Sequence, residues 1–138
     1  MCLTLTEKSG IKVAKEDIIC YKVMNKLNNV LLSPYQNMRY KCGITYVSKT
    51  SITVNHIFAI GACIEEGFHS VSNEQEAERL KSILQTYAML YNFDTQYVVV
   101  KCLIPAGTRY AVGFFSERGE SFDSLCSEQI KIIAIKEV

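Results

Sequence analysis

The stretch Tyr97-Val-Val-Val-Lys-Cys-Leu-Ile104 is almost unbroken apolar sequence, as is typical of a central strand of a sheet. Pro105 restricts the backbone at the first turn position, and Gly107 can adopt the left-handed conformation. This combination suits a three-residue loop, a type I turn with a glycine bulge, that leads into a second strand at Thr108 to Phe115. The stretch therefore predicts an antiparallel hairpin of residues 97–104 and 108–114.

The segment of about residues 73–90 has the periodicity of an amphipathic helix. Leu80, Leu84 and Tyr87 recur at spacings of three and four residues, so that they share one face. Ser72 stands at the N-cap position, and Gln75, three residues later, completes a capping box. The pattern predicts a helix that docks on one face of a sheet through the three apolar side chains.

Shorter strand patterns surround these two features. β-branched and aromatic residues are enriched in the candidate strands, which are residues 17–24, 43–47, 51–54, 57–64 and 130–135. Residues 116–129 are polar and typical of a loop, and residues 1–16 are typical of an irregular N-terminal arm. Because strands and helices do not alternate, we predict a single α+β domain of residues 1–138, with a mixed or mainly antiparallel sheet of about six strands and one main helix.

Charge and hydropathy narrow the classes of function. The chain has 138 residues, and its 15 Lys and Arg against 14 Asp and Glu give a formal net charge of +1, which provides no electrostatic reason to favour nucleic acid. The first residues lack the pattern of a signal peptide, and the longest apolar run, about residues 57–64, is too short to span a bilayer. These features predict a cytoplasmic protein that takes neither nucleic acid nor a membrane as partner.

The cysteine pattern agrees with a reducing compartment. Six cysteines stand at positions 2, 20, 42, 63, 102 and 126 without a C-x-x-C pair, and several lie in apolar runs, where free cysteine packs as a small hydrophobe. No pair of Cys or His residues has the spacing of zinc ligands. The sequence therefore predicts no metal site.

The segment Glu65-Glu-Gly-Phe-His-Ser70, just before the predicted helix, is the first candidate site. His69 and Ser70 at a strand-to-helix junction could face a ligand, because imidazole can donate to a phosphate or act as a base. The structural alternative is that Gly67 makes a turn, Phe68 packs in the core, and His69 hydrogen-bonds a loop carbonyl. The alternative is favoured, since no partner for His69 is set by the spacing.

Further candidates lie elsewhere in the chain. Arg109 and Tyr110 follow the Pro-Ala-Gly turn, where Arg could grip a carboxylate or phosphate with two hydrogen bonds and Tyr could stack beside it. Glu120 and Glu128 are candidate catalytic carboxylates in the predicted polar loop, and Tyr21 on the first strand is a candidate ligand contact. For all of these, a surface or core packing role is the favoured alternative.

Five segments together resemble small uncharacterised proteins of Bacteroides-type gut bacteria and of phages or prophages. They are Tyr21-Lys-Val-Met24, Ser33-Pro-Tyr-Gln36, Glu66-Gly-Phe-His-Ser70, Lys101-Cys-Leu-Ile-Pro-Ala-Gly-Thr-Arg-Tyr110 and Ile130-Lys-Ile-Ile-Ala-Ile135. The resemblance spans about residues 17–138 and implies no settled activity.

A more distant likeness is to the ADP-ribosyltransferase fold. In that fold a first strand carries an aromatic or basic residue, a later strand leads into a helix, and a terminal strand follows a catalytic glutamate. The residues that occupy these places are Tyr21 or Lys22, His69 with Ser70, and Glu120 or Glu128. The likeness implies NAD as cofactor, but the chain has Glu117-Arg-Gly-Glu120 in place of the Glu-x-Glu or Gln-x-Glu doublet, and it has no Arg or His on the first strand.

Two hypotheses follow. The first is a small cytoplasmic binding or accessory module, of phage or mobile-element origin, that recognises a protein or small ligand and needs no cofactor. The alternative is a NAD-utilising enzyme similar to ADP-ribosyltransferases and degenerate in catalysis. A cleft that holds His69, Tyr21 and a carboxylate around one ligand-sized volume would favour the enzyme, whereas a flat or apolar surface patch would favour the module.

Overall fold

The computed structural model describes residues 3–5, 10–28, 30–34, 38–57 and 61–136. One helix, α1, spans Glu74–Leu90. The strands are β1 (Leu3–Leu5), β2 (Lys12–Val13), β3 (Ile18–Leu27), β4 (Val30–Leu32), β5 (Arg39–Tyr40), β6 (Thr45–Val47), β7 (Asn55–Ile57), β8 (Gly61–Ile64), β9 (Phe68–Val71), β10 (Tyr97–Ile104), β11 (Arg109–Glu117), β12 (Glu120–Ser127) and β13 (Gln129–Ile135).

All strand pairs of the described sheet are antiparallel, and the strand order is β6-β13-β10-β3-β9-β12-β11-β1-β8-β7. Off this path, β2 pairs with β11, and β4 pairs with β3 and β5. Between β3 and β9 the register consists of one pair, Tyr21 opposite Val71, whereas β3 and β10 match over eight pairs. The sheet is therefore divided at β3 and β9 into two halves that separate on either side of this contact.

The prediction of an α+β fold with about six strands is wrong. In the described residues thirteen strands form one large antiparallel sheet and there is a single helix, so the protein is mostly β. Several of these strands have two or three residues, which is too short for an alternating pattern to be visible in the sequence. Leu3–Leu5 and Lys12–Val13 lie in the segment for which an irregular arm was predicted, and both pair with β11.

The predicted hairpin of residues 97–104 and 108–114 is also wrong. Both strands exist, but β10 pairs with β3 and β13, while β11 pairs with β12, β1 and β2. The loop is engaged by the residues that precede β3: Gly107 N–H donates to the Ala14 carbonyl at 2.7 Å, and Ala106 N–H donates to Asp17 Oδ1 at 2.9 Å. Gly107 does have the predicted left-handed backbone, with φ of +85°. The predicted left-handed turn is therefore confirmed, but the two strands that it joins, β10 and β11, lie in different halves of the sheet.

A hairpin that the sequence analysis missed joins β11 to β12. Glu117 lies opposite Glu120, and the two residues between them, Arg118 and Gly119, have φ of +49° and +80°. Two consecutive positive φ values are typical of the type I′ turn that favours tight hairpins. Residues 116–129, read as a polar loop, therefore contain the eight-residue strand β12, in which Phe122, Leu125 and Cys126 are buried.

The predicted helix is confirmed, with a different cap. Asn73 is the N-cap, and its side chain accepts a hydrogen bond from Glu76 N–H at 2.9 Å. The Ser72 hydroxyl instead donates to the Asp123 carbonyl at 3.1 Å. Leu80 and Leu84 are buried, but Tyr87 is half-exposed, so the prediction that it docks on the sheet is wrong. In the described part of the chain no helix has the length and apolar character needed to cross a membrane.

The two faces of the sheet bury different clusters. One face packs against α1, and this cluster consists of Val23, Val71, Ala77, Leu80, Leu84, Val99, Phe115 and Phe122. The opposite face buries Cys20, Met24, Tyr40, Phe68, Val100, Cys102, Ile104, Leu125 and Ile132, among others. Because the middle of β3 is covered on both faces, the consecutive residues 22–24 are all buried, although their side chains alternate between the faces. That burial places Lys22, between Cys20 and Met24, inside the molecule.

Candidate functional site

A small cavity lies where β3 and β9 separate. Its lining residues are Tyr21, Lys22, Val23, Ser33, Pro34, His69, Ser70, Val71, Leu80 and Phe115. The cavity volume is about 30 Å³, and it continues into open solvent. Three residues singled out in the sequence, Tyr21, His69 and Ser70, are therefore brought together here.

Lys22 is a residue of this cavity that the sequence pattern singled out only weakly. Its side chain is 7% exposed, and Nζ donates a hydrogen bond to the backbone carbonyl of His69. Nζ also lies 5.6 Å from the centre of the Tyr40 ring. The hydrogen bond from Lys22 connects the two halves of the sheet next to their single ladder pair, since Lys22 follows Tyr21 and His69 lies two residues before Val71. Its burial was signalled only by its position inside a strand whose neighbours on both sides are apolar.

The surroundings of Lys22 provide no compensating negative charge among the described residues. No carboxylate lines the cavity, and no ion pair joins Lys22 to a described acid. Burial lowers the pKa of Lys22, and burial also raises the pKa of the Cys20 thiol to about 11 and that of the Cys102 thiol still further. These two neighbours are consequently uncharged near neutral pH.

His69 is buried, and its two ring nitrogens differ. Nε2 lies 3.3 Å from the Glu65 carbonyl oxygen and 3.9 Å from Cys126 Sγ, while Nδ1 has no hydrogen-bond partner. Burial, reinforced by the Lys22 charge, lowers the pKa of His69 to about 4. The imidazole is therefore neutral at pH 7, and the contact with the carbonyl oxygen places its proton on Nε2. This arrangement matches the structural alternative in which His69 bonds a loop carbonyl.

Ser70 is buried and lines the same cavity as Lys22. Its hydroxyl lies beside the Cys20 thiol but makes no hydrogen bond of good geometry. A buried hydroxyl without a partner carries a free-energy cost unless something else occupies the space next to it. Ser70 is thus a donor and acceptor that remains available to a small occupant of the cavity.

The other candidates from the sequence lie outside this cavity. Arg109 and Glu128 form an ion pair at 3.0 Å, and Glu128 Oε2 also accepts a hydrogen bond from Ile52 N–H at 2.8 Å. Glu128 therefore links the backbone of Ile52 to Arg109 on β11. Glu120 is exposed at the β11–β12 turn, 3.5 Å from Arg79. Tyr110 packs against the cluster on the face opposite α1.

A second feature is an apolar surface at the end of α1. Met89, Leu90, Tyr91 and Phe93, here called the α1 patch, are 59–73% exposed and nearly consecutive. The Tyr91 ring lies 4.5 Å from that of Tyr87 and 6.3 Å from that of Phe93 (distances between ring centres). The sequence carried a signal for this surface, because three consecutive apolar residues, 89–91, cannot all share the buried face of one helix.

A groove of about 330 Å³ adjoins the α1 patch. It is lined by Ser82, Ile83, Thr86, Tyr87, Leu90 and Arg118. The guanidinium carbon of Arg118 lies 3.2 Å from the centre of the Tyr87 ring, and its Nε lies 3.5 Å from Glu117 Oε1. These contacts hold the cation at the edge of a largely apolar groove.

Within the described ranges, no group of three or more His, Cys, Asp or Glu side chains is placed to hold a metal ion. Comparison of the chain with protein-family models, curated proteins and solved structures produced no match in any of the three.

Proposed function

We propose that this protein is a binding module that recognises another protein through the α1 patch and its adjoining groove. The observation that carries the proposal is the exposure of four large apolar side chains, Met89, Leu90, Tyr91 and Phe93, at one end of one helix. Contiguous apolar surface of this kind is typical of sites for protein partners. We further propose that the module acts in the cytoplasm and derives from a phage or other mobile element.

The α1 patch is separate from the face of the helix that the fold uses. Ala77, Leu80, Leu84 and Ala88 are buried against the sheet. Met89 and Leu90 follow directly in the chain, at angles of about 100° and 200° from Ala88 around the helix axis, and they therefore point away from the sheet. Folding of this domain leaves them in water, where they gain nothing from the core.

The groove defines the chemistry of the partner. Its floor is formed by Ile83, Tyr87 and Leu90, which suits an inserted aromatic or branched aliphatic side chain. Arg118 is fixed at the edge by stacking on Tyr87, and its remaining N–H groups suit a carboxylate. The partner is thus a protein segment that carries an apolar anchor next to an Asp or Glu.

The geometry gives less support to the NAD-utilising alternative. Tyr21 and His69 do line one cavity, but its volume of about 30 Å³ is roughly that of one water molecule, far below the several hundred Å³ of a typical cofactor site. Neither Glu120 nor Glu128 is among its lining residues. We therefore propose a module without a cofactor.

Site-specific photocrosslinking tests the proposal in cells that express the full chain. Benzoylphenylalanine in place of Leu90 should give one discrete crosslinked protein, and the same probe in place of Gln75, which is exposed at the other end of α1, should not. The crosslinked partner peptide should contain an apolar side chain beside an acidic one.

Binding of the purified partner then separates recognition from accidental capture. Leu90→Ser and Arg118→Ala should each weaken binding at least tenfold, about 1.4 kcal/mol, and Gln75→Ala should leave it unchanged. Equal crosslinking from positions 75 and 90, or crosslinking of the chain to a second copy of itself, contradicts the proposal.

A further inference from the structure

We propose that the cavity between β3 and β9 is a binding site for a small monovalent anion, held by the Lys22 ammonium and the Ser70 hydroxyl. The site is distinct from the α1 patch and does not depend on it. Both side chains are more than nine-tenths buried, and both line the cavity.

The hydrogen-bonding capacity of the site is incompletely used. A protonated Lys22 has three N–H donors, of which the His69 carbonyl accepts one. The Ser70 hydroxyl supplies another donor that makes no hydrogen bond of good geometry. The Lys22 ammonium and the Ser70 hydroxyl thus line one water-sized cavity with unused donors, and an anion is the ligand that such a set of donors recognises.

The charges around Lys22 also favour a bound anion. The titratable groups that face it are Cys20 on its own strand, Tyr40 on β5, His69 on β9, Cys102 on β10 and Cys126 on β12. None of them is a carboxylate, and the thiol of Cys20 and the imidazole of His69 are both neutral near pH 7. A buried ammonium in such surroundings either loses its proton or acquires a counter-ion from solution.

The dimensions of the cavity limit the ligand. A volume of about 30 Å³, roughly that of one water molecule, accommodates a single-atom anion such as chloride. The cavity continues into solvent, which supplies a path of entry. Larger anions, nucleotides included, do not fit without movement of the strands.

Binding of the anion is coupled to protonation of Lys22. The neutral amine has no charge to attract the ligand, so the ligand binds the protonated form, and by linkage it raises the pKa of Lys22. Affinity for the anion should fall about tenfold for each pH unit above that pKa.

The test follows the Lys22 side chain by NMR. The ¹³Cε resonance of Lys22, assigned by its loss in Lys22→Met, is titrated with pH in sodium chloride, and again in sodium gluconate of equal ionic strength, since gluconate is too large to enter. We expect the Lys22 titration midpoint to lie at least one pH unit higher in chloride. The exposed Lys101, on the neighbouring strand β10, should have the same midpoint in both salts.

A second variant separates the site from a general salt effect. In Ser70→Ala, which keeps the ammonium, the shift of the Lys22 midpoint should shrink by at least half. Thermal melting supplies an independent readout: chloride should raise Tm relative to gluconate in the parent and in Lys101→Met, but not in Lys22→Met. Identical Lys22 titrations in the two salts, or an equal rise of Tm in Lys22→Met, would overturn the proposal.

Discussion

Lys22 on β3 donates a hydrogen bond to the backbone carbonyl of His69 on β9, at the place where the two halves of the sheet separate. In a continuous ladder a backbone N–H would donate to this carbonyl, and here the Lys22 side chain is the donor instead. The contact requires an amine to be buried among thiols and apolar groups, where apolar residues normally stand. A residue kept at such a cost is more readily explained by a ligand than by folding.

We expect Lys22→Met to leave the free energy of unfolding at pH 7 unchanged or to raise it by about 1–4 kcal/mol, because it removes a buried basic group without opening a large cavity. The pKa of Lys22 is lowered in the folded state, so protonation penalises folding below its unfolded value of 10.5, and this penalty disappears as pH rises to that value. The difference between the variant and the parent should therefore narrow toward pH 10.5. Urea titrations at several pH values measure it, with Lys101→Met as control. A loss of more than about 0.5 kcal/mol in Lys22→Met contradicts this account.

His69 predicts a loss of stability in acid. Its pKa is lowered from 6.5 to about 4, so the unfolded chain binds the proton more tightly than the folded one. The contribution to stability is complete above pH 6.5, decreases as pH falls from 6.5 to 4, and amounts to roughly 3 kcal/mol at most. His69→Gln should flatten the pH dependence in this window, whereas His56→Gln, at an exposed position, should not. Parallel profiles for the two variants would refute the assignment.

Two leucines of α1 provide a matched test of its packing. Leu84 is buried against the sheet, and Leu84→Ala should lower the free energy of unfolding by roughly 2–5 kcal/mol. Leu90 lies in the α1 patch, and Leu90→Ala should change it by less than about 0.5 kcal/mol. Chemical denaturation of both variants and of the parent measures these free energies of unfolding. Similar losses of stability in the two variants would mean that the buried face of α1 is misassigned.

Two glycines with positive φ differ in their surroundings. At Gly107 a Cβ atom would meet open space, so Gly107→Ala should cost about 1 kcal/mol from backbone strain alone. At Gly67 the same atom would lie 2.7 Å from Ile52 Cγ2 and 2.8 Å from Cys126 Sγ, and Gly67→Ala should cost roughly 2–4 kcal/mol. If chemical denaturation gives the two variants equal stability, crowding at Gly67 is not the deciding factor.

For the NAD-utilising alternative, we expect no measurable release of nicotinamide from NAD by the purified protein. Neither Glu120 nor Glu128 lines the cavity that holds His69, and positioned charges usually supply the largest part of catalysis. Chromatography of NAD incubated with the parent measures the release. Turnover that disappears in Glu120→Gln or Glu128→Gln would overturn this expectation and promote the enzyme over the module.

The sequence predicted local elements better than their partners. The apolar periodicity of residues 73–90 identified α1, and the apolar run at 97–104 identified β10, because both signals arise within one segment. The hairpin failed because nothing local to Gly107 reveals that Ala14 and Asp17, about 90 residues away, occupy the loop between β10 and β11. The type I′ turn at Arg118 and Gly119 was missed because arginine seldom has positive φ, so the pair resembled an ordinary polar loop.

The candidate site, too, was predictable from the sequence only in part. The sequence by itself determined three features of the site. They are the apolar character of the strand that carries Lys22, the strand-to-helix junction at His69 and Ser70, and the excess of apolar residues at 89–91. Only the tertiary structure decided that β3 and β9 meet at one pair and then separate, which places Lys22 and Ser70 on one cavity and leaves Glu128 paired with Arg109. The physical reason is that helix periodicity is a property of neighbours in the chain, whereas strand pairing and the burial of a charge depend on segments that are distant in sequence and meet only in the folded protein.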